Sequence, residues 1–170
     1  VHGGQGDDVI ESGSGNDRLF GEDGNDVISG GAGRDLVFGG DGHDALNGND
    51  GSDVIVGGDG NDTITGSIGD DLLRGDDGND LIDGGAGDDT IDGGANHDVL
   101  AGGSGNDVIT GGTGNDRLLG GAGDDNLQSG DGDDTLVGGD GDDILEGGAD
   151  DDILEGGPGN DSFHGGVNTG

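Results

Sequence analysis

Residues 102–119 read GGSGNDVIT GGTGNDRLL, which is one nine-residue pattern written twice. The pattern continues in both directions without insertion or deletion, so residues 3–164 divide into eighteen consecutive nonapeptides. A fixed period of this kind is typical of repeat architectures, in which each unit stacks on its neighbours instead of building a separate core. The sequence therefore predicts a single repeat domain over residues 1–170, with residues 165–170 as a partial repeat or C-terminal edge.

The columns of the repeat separate into turn positions and a strand. Glycine fills most of the first, second and fourth positions, while Asp is sixth and a large apolar residue is eighth in all eighteen units. Gly and Asp favour tight turns. Along a strand the side chains alternate, so the eighth position faces inward and its two neighbours outward. The sequence predicts a six-residue turn, GGxGxD, followed by a minimal three-residue strand.

The pattern G-G-x-G-x-D-x-U-x, where U is a large apolar residue, resembles the calcium-binding repeat of the RTX (repeats-in-toxin, or hemolysin-type) family. Eighteen in-phase copies make the resemblance specific. It implies an all-β fold, a serralysin-like, right-handed parallel β-roll (a β-solenoid) with two nonapeptides per turn, about nine turns and two short-stranded parallel sheets. Each sixth-position Asp would then stack on the Asp two units later.

The charge of the chain indicates that a cation is needed for folding. Asp and Glu number 40 against four Lys plus Arg, the formal net charge is −36, and only 25% of the residues are hydrophobic. Stacked carboxylates repel by roughly 1–4 kcal/mol per pair, and so acidic and polar a chain resembles a disordered one. Ca²⁺ takes six to eight oxygens in flexible geometry, which suits glycine-rich loops better than the strict octahedron of Mg²⁺. We therefore expect metal binding to be coupled to folding.

The candidate calcium ligands are the sixth-position side chains together with backbone carbonyls of the loops. These aspartates are Asp8, Asp17, Asp26, Asp35, Asp44, Asp53, Asp62, Asp71, Asp80, Asp89, Asp98, Asp107, Asp116, Asp125, Asp134, Asp143, Asp152 and Asp161. The resemblance implies one ion between each stacked pair of loops, and eighteen units form sixteen such pairs. Sixteen Ca²⁺ ions carry +32, which leaves −4 of the formal −36.

Other classes of protein fit the sequence less well. A disordered acidic tract is the main alternative, but such a tract has no reason to keep a hydrophobic residue in every unit. An EF-hand needs a twelve-residue loop with a terminal Glu. The histidines do not converge, since His43 and His97 lie six units apart. No catalytic motif such as HExxH, GxSxG or a P-loop occurs, so we expect no enzymatic activity in this chain.

Partners other than calcium are constrained by the charge and by the outward positions. Nucleic acid is excluded by charge, and no apolar run is long enough to cross a membrane. Several outward residues of the second, fourth, sixth and eighth units are apolar and should lie side by side on one sheet face. They are Phe20, Leu36, Phe38, Val54, Val56 and Leu72. This set, called the apolar patch below, is a candidate docking surface, although such residues are also good strand formers.

The resemblance also implies a function. It points to a calcium-binding structural segment of a larger secreted bacterial protein, exported unfolded by type I secretion and folding on Ca²⁺ outside the cell or at the bacterial cell surface. The alternative is a cell-surface adhesion or carbohydrate-binding module, in which the outer sheet face binds a surface glycan. In the first case the apolar patch would contact a neighbouring domain of the same protein.

Overall fold

The computed structural model describes residues 1–166, which form nineteen β-strands and no helix that could cross a membrane. Alternate strands belong to opposite sheets, so the odd-numbered strands form one ten-stranded sheet and the even-numbered strands one nine-stranded sheet. Every neighbouring pair of strands is parallel. The predicted all-β parallel solenoid of about nine turns is confirmed. Of the predicted partial repeat, residues 167–170 lie outside the described residues.

The strands are numbered in chain order. The ten-stranded sheet contains β1 (His2–Gln5), β3 (Arg18–Asp23), β5 (Leu36–Asp41), β7 (Val54–Asp59), β9 (Leu72–Asp77), β11 (Thr90–Ala95), β13 (Val108–Thr113), β15 (Asn126–Asp131), β17 (Ile144–Ala149) and β19 (Ser162–His164). The nine-stranded sheet contains β2 (Val9–Glu11), β4 (Val27–Ala32), β6 (Ala45–Asp50), β8 (Thr63–Ile68), β10 (Leu81–Ala86), β12 (Val99–Ser104), β14 (Arg117–Ala122), β16 (Thr135–Asp140) and β18 (Ile153–Glu155).

The register between neighbouring strands is two repeats. On β10 and β12, Ile82 pairs with Leu100, and the same eighteen-residue offset recurs through both sheets. Each unit therefore lies beside the unit two places later, as the sequence predicts. This register places equivalent residues of alternate units in straight columns along the rod.

Most strands are six residues long, so the prediction of three-residue strands was wrong. Strand β10, for example, contains the last three residues of one unit and the first three of the next. Gly85 pairs with Gly103 in the same ladder as the apolar residues, because a strand ladder needs only backbone N–H and C=O groups. The turn is therefore confined to the fourth, fifth and sixth positions of each repeat.

The core is a single file of eighth-position side chains between the two sheets. The sixteen from Ile10 to Leu145 are 0–6% exposed and form one cluster. Leu154 packs partly against this cluster, whereas Phe163 on β19 is 51% exposed because no later described strand covers it. So thin a core offers little apolar burial, which leaves the loops to contribute the remaining stabilisation.

The left-handed backbone conformation is kept where glycine is replaced at the second or fourth position. Six non-glycine residues have positive φ angles of 72–86°. They are Glu22, Asn49, Ser67 and Asp76 at the second position and Asn96 and Asp150 at the fourth. Because these columns are otherwise glycine, the left-handed backbone is a property of the repeat and not of one residue type.

Candidate metal centre

The sixth-position aspartates end the loops and lie inside the rod. Each directly precedes a strand, so the parallel register of the strands stacks the carboxylates in two columns. The fourteen from Asp26 to Asp143 are only 1–3% exposed. The two outermost at each end, Asp8 and Asp17 and then Asp152 and Asp161, are partly exposed. The inner carboxyl groups are thus withdrawn from water.

All sixteen predicted pairs of aspartates are brought together. In each pair the backbone N–H of the earlier Asp donates a hydrogen bond of 2.7–3.1 Å to Oδ1 of the Asp eighteen residues later. Asp71 donates to Asp89 in this way at 2.8 Å. One oxygen of each acceptor carboxylate is therefore already used within the protein.

The second carboxylate oxygen has no partner. Oδ2 is buried and without a hydrogen bond in sixteen of the aspartates, which are all of the candidates except Asp17 and Asp161. An unpaired buried anionic oxygen is strongly unfavourable. These oxygens are the clearest indication that a cation belongs between the loops.

The surroundings of Oδ2 contain other oxygen atoms. A side-chain carbon added to Gly84 would meet both Oδ2 of Asp89 and the carbonyl oxygen of Gly102, and the same holds at equivalent glycines. The neighbouring N–H groups point elsewhere. Gly87 N–H donates to Ser104 O at 2.9 Å, and Val108 N–H to Asp89 O at 2.9 Å. The loops therefore offer acceptor oxygens, a ligand set that suits a hard cation such as Ca²⁺.

A Ca²⁺ ion bound between these loops would need backbone carbonyls for most of its ligands. Among residues 1–166, no three His, Cys, Asp or Glu side chains lie close enough to hold a metal ion together. Ca²⁺ needs six to eight oxygens, so the carboxylates of a stacked pair are too few by themselves. The donor set contains no sulfur and does not resemble a zinc site, which takes Cys and His ligands.

Two loops depart from this pattern at the first position. Ser129 is fully buried, and its Oγ donates to the carbonyl of Gly147 at 2.5 Å. The hydroxyl of Ser12 likewise donates to the carbonyl of Gly30. At these two places a hydroxyl group satisfies the carbonyl oxygen that faces Oδ2 in the other loops.

Burial makes the inner carboxylates hard to ionise. It raises the pKa of Asp44, Asp62, Asp71 and Asp125 to about 6, and that of Asp89 and Asp98 to about 7. The hydrogen bond from the earlier loop partly lowers these pKa values, and repulsion between stacked carboxylates raises them further. A cation would remove this penalty.

The calcium-free chain should therefore gain structure in acid. In the folded chain the pKa of these carboxyl groups lies above the ordinary value of 3.8. The protonated groups therefore favour folding, and this stabilisation is complete below about pH 3.8 and is lost as the pH rises through 6 to 7. We expect the calcium-free chain to show more β-structure at about pH 4 than at about pH 8. Circular dichroism of the metal-stripped chain checks this, and a spectrum that does not change with pH would contradict it.

The apolar patch lies together on the ten-stranded sheet, as its spacing predicts. Phe20 pairs with Phe38 and Phe38 with Val56, while Leu36, Val54 and Leu72 follow one another in the neighbouring column. The rings of Phe20 and Phe38 stack with centroids 5.3 Å apart, and His2 stacks on the other face of Phe20 at 4.7 Å. All six residues are half-buried except Leu72, which is 41% exposed.

Comparison with known families agrees with this geometry. A family model described as RTX calcium-binding nonapeptide repeat (4 copies) matches six overlapping segments that together span residues 2–163. The matched segments are 2–37, 38–73, 65–100, 92–127, 101–136 and 128–163. No curated protein matches the chain. Since the matches cover nearly all of its 170 residues, the chain belongs to the family of RTX calcium-binding nonapeptide repeats.

Proposed function

We propose that this chain is a calcium-folded structural rod within a larger secreted bacterial protein. The observation that carries the proposal is the set of sixteen buried carboxylate oxygens without a partner. Ordering the backbone costs about 1–2 kcal/mol per residue, and a core one side chain wide cannot offset that cost. Calcium bound between the loops supplies the missing stabilisation.

The ligands in this proposal are the eighteen sixth-position aspartates and loop carbonyls, with about sixteen ions when every stacked pair is filled. Support comes from the sixteen stacked pairs of aspartates. In each pair Oδ1 of the later Asp accepts a hydrogen bond from the backbone N–H of the earlier Asp, while Oδ2 has no partner in nearly every case. In most loops the free oxygen and the carbonyl oxygen of the first-position residue two units later lie in one space. Binding there neutralises most of the −36 formal charge.

Dependence on calcium gives the rod a switch. Where free calcium is low, the carboxylates repel and the chain stays unfolded, which suits export through a narrow type I secretion channel. Where calcium is millimolar, as outside the cell, the rod folds and can no longer return through the secretion channel. The role is structural and not catalytic.

The rival function is adhesion through the outer sheet face. Sugar rings commonly pack on the exposed faces of aromatic side chains, but Phe20 lies between His2 and Phe38 and both of its faces are covered. This stacking favours contact with a neighbouring domain over binding of a surface glycan. A glycan array probed with the calcium-loaded chain separates the two, since binding that is lost in a Phe38→Ser variant would support adhesion.

The proposed switch is tested by folding at two calcium levels. Circular dichroism should show coil at about micromolar free Ca²⁺ and β-structure at about millimolar Ca²⁺, the range used by extracellular calcium modules. Magnesium at the same concentration is the control and should not replace calcium. Identical spectra at both calcium levels would rule the switch out.

A further inference from the structure

The fifth position of the repeat forms hydrogen-bonded ladders along both edges of the rod. On one edge, each fifth-position side chain accepts the backbone N–H of the fifth residue eighteen positions later, through eight consecutive bonds of 2.7–3.2 Å. The acceptors there are Asp7, Asn25, His43, Asn61, Asn79, His97, Asn115 and Asp133. The same bond occurs six times on the other edge, at 2.8–3.1 Å.

The accepting residues share one chemical feature. Asn and Asp present Oδ1 and His presents Nδ1, so in all three the acceptor is three bonds from Cα. His43 and His97 accept at 2.7 Å from Asn61 and Asn115, which places the proton of each neutral imidazole on Nε2. Sixteen of the eighteen units carry Asn, Asp or His at this position. All but two residues of a column that looks variable therefore have an acceptor at δ1.

The fifth- and sixth-position side chains link stacked loops by hydrogen bonds that run in opposite directions along the chain. Between the loops of Asn79 and His97, the N–H of His97 donates back to Oδ1 of the earlier Asn79 at 2.9 Å. In the same pair, Asp80 N–H donates to Oδ1 of Asp98 at 2.8 Å. The backbone N–H groups of Gly78 and of the seventh position are also hydrogen-bonded. Here the N–H groups of all four positions from the fourth to the seventh therefore have acceptors. The space between the loops is left with acceptor oxygens.

Only one stretch of the second edge lacks the ladder. Arg34 has no acceptor, and the hydroxyl of Ser52 is one bond too short. In the described part of the chain, the backbone N–H groups of Ser52 and Asp70 consequently have no protein partner. This gap supplies a natural control, because a fifth-position residue can be changed there without breaking a bond.

We propose that the fifth-position side chain is a positioning residue for the calcium loops. By accepting the N–H of the next loop, it turns that donor away from the interloop space, where an N–H dipole would repel a cation. The inference rests on the proposed calcium function, but it concerns a column that is not among the proposed ligands. It also explains why His43 and His97 are compatible with a calcium rod.

The test compares three single variants across a calcium titration up to saturation, with bound ions counted by equilibrium dialysis and folding followed by circular dichroism. Asn79→Ala removes the acceptor, so we expect calcium affinity between Asp80 and Asp98 to fall about tenfold. Asn79→Asp keeps Oδ1 and should restore affinity to within about twofold. Ser52→Ala breaks no ladder bond and should match the parent.

Two outcomes would overturn the inference. One is an Asn79→Ala variant that unfolds more easily in urea yet binds the same number of ions with the same affinity, because the residue would then be structural only. The other is failure of Asn79→Asp to restore binding. As a gain-of-function check, Arg34→Asn with Ser52→Asn should complete the ladder and raise calcium affinity. If the parent chain itself binds no calcium, the proposed function fails. If the parent binds calcium and all the variants bind it with equal affinity, only the inference about the fifth position fails.

Discussion

Replacing Asp89 with Ala should destabilise the calcium-loaded rod by roughly 3–5 kcal/mol, which combines a lost hydrogen bond to a charged group with an unpaired buried N–H. Asp89 is 1% exposed, its Oδ1 holds the N–H of Asp71, and its own N–H is held by Asp107. The change removes a carboxylate from two neighbouring calcium sites. Urea unfolding in saturating calcium measures the loss of stability, and dialysis measures the loss of up to two ions.

The matched control for Asp89 is Asp161→Ala. Asp161 is only partly buried and pairs with a single described partner, Asp143, through a bond of 3.1 Å. Loss of an end unit leaves the rest of a stacked rod intact, so the expected cost is about 1 kcal/mol. Equal effects of the two variants would contradict the stacked-pair arrangement of the sites.

Replacing Gly84 with Val should also be strongly destabilising, by roughly 3 kcal/mol. The added side chain would overlap Oδ2 of Asp89 and the carbonyl of Gly102. It would therefore fill the oxygen-lined space where the cation is proposed to bind. We expect a lower urea midpoint in calcium and one bound ion fewer than in the parent chain.

Gly84→Ser is the control that separates the effect of the added side chain's size from the effect of its chemistry. Ser129 occupies the same column while fully buried and donates to the carbonyl of Gly147. A serine at position 84 can do the same with Gly102, so it should fold far better than the valine variant. If serine and valine were equally damaging, simple crowding of the backbone would explain both and the oxygen-lined space would not.

The fold follows closely from the periodicity of the sequence. A nine-residue period with an apolar eighth position determines which side chains point inward. The family resemblance adds two units per turn, which places Ile82 beside Leu100. The pairing of the aspartates then follows from the same register.

Other features could not be predicted from the pattern of side chains. The strands are twice the predicted length because the backbone groups of glycines such as Gly85 pair as well as those of apolar residues. A pattern of hydrophobic side chains contains no information on this backbone pairing. The fifth-position ladder was also missed. Its signal was present, as Asn, Asp and His recur in that column, but its meaning depends on a δ1 acceptor reaching the next loop.

Calcium counting combined with circular dichroism tests the central claim most directly. The metal-free chain at neutral pH should be coil, and added Ca²⁺ should produce β-structure cooperatively, with about sixteen ions bound at saturation, one for each stacked pair of aspartates. Chelation should reverse the change. A chain that keeps its β-structure in the chelator, or that saturates with only one or two ions, would contradict the account.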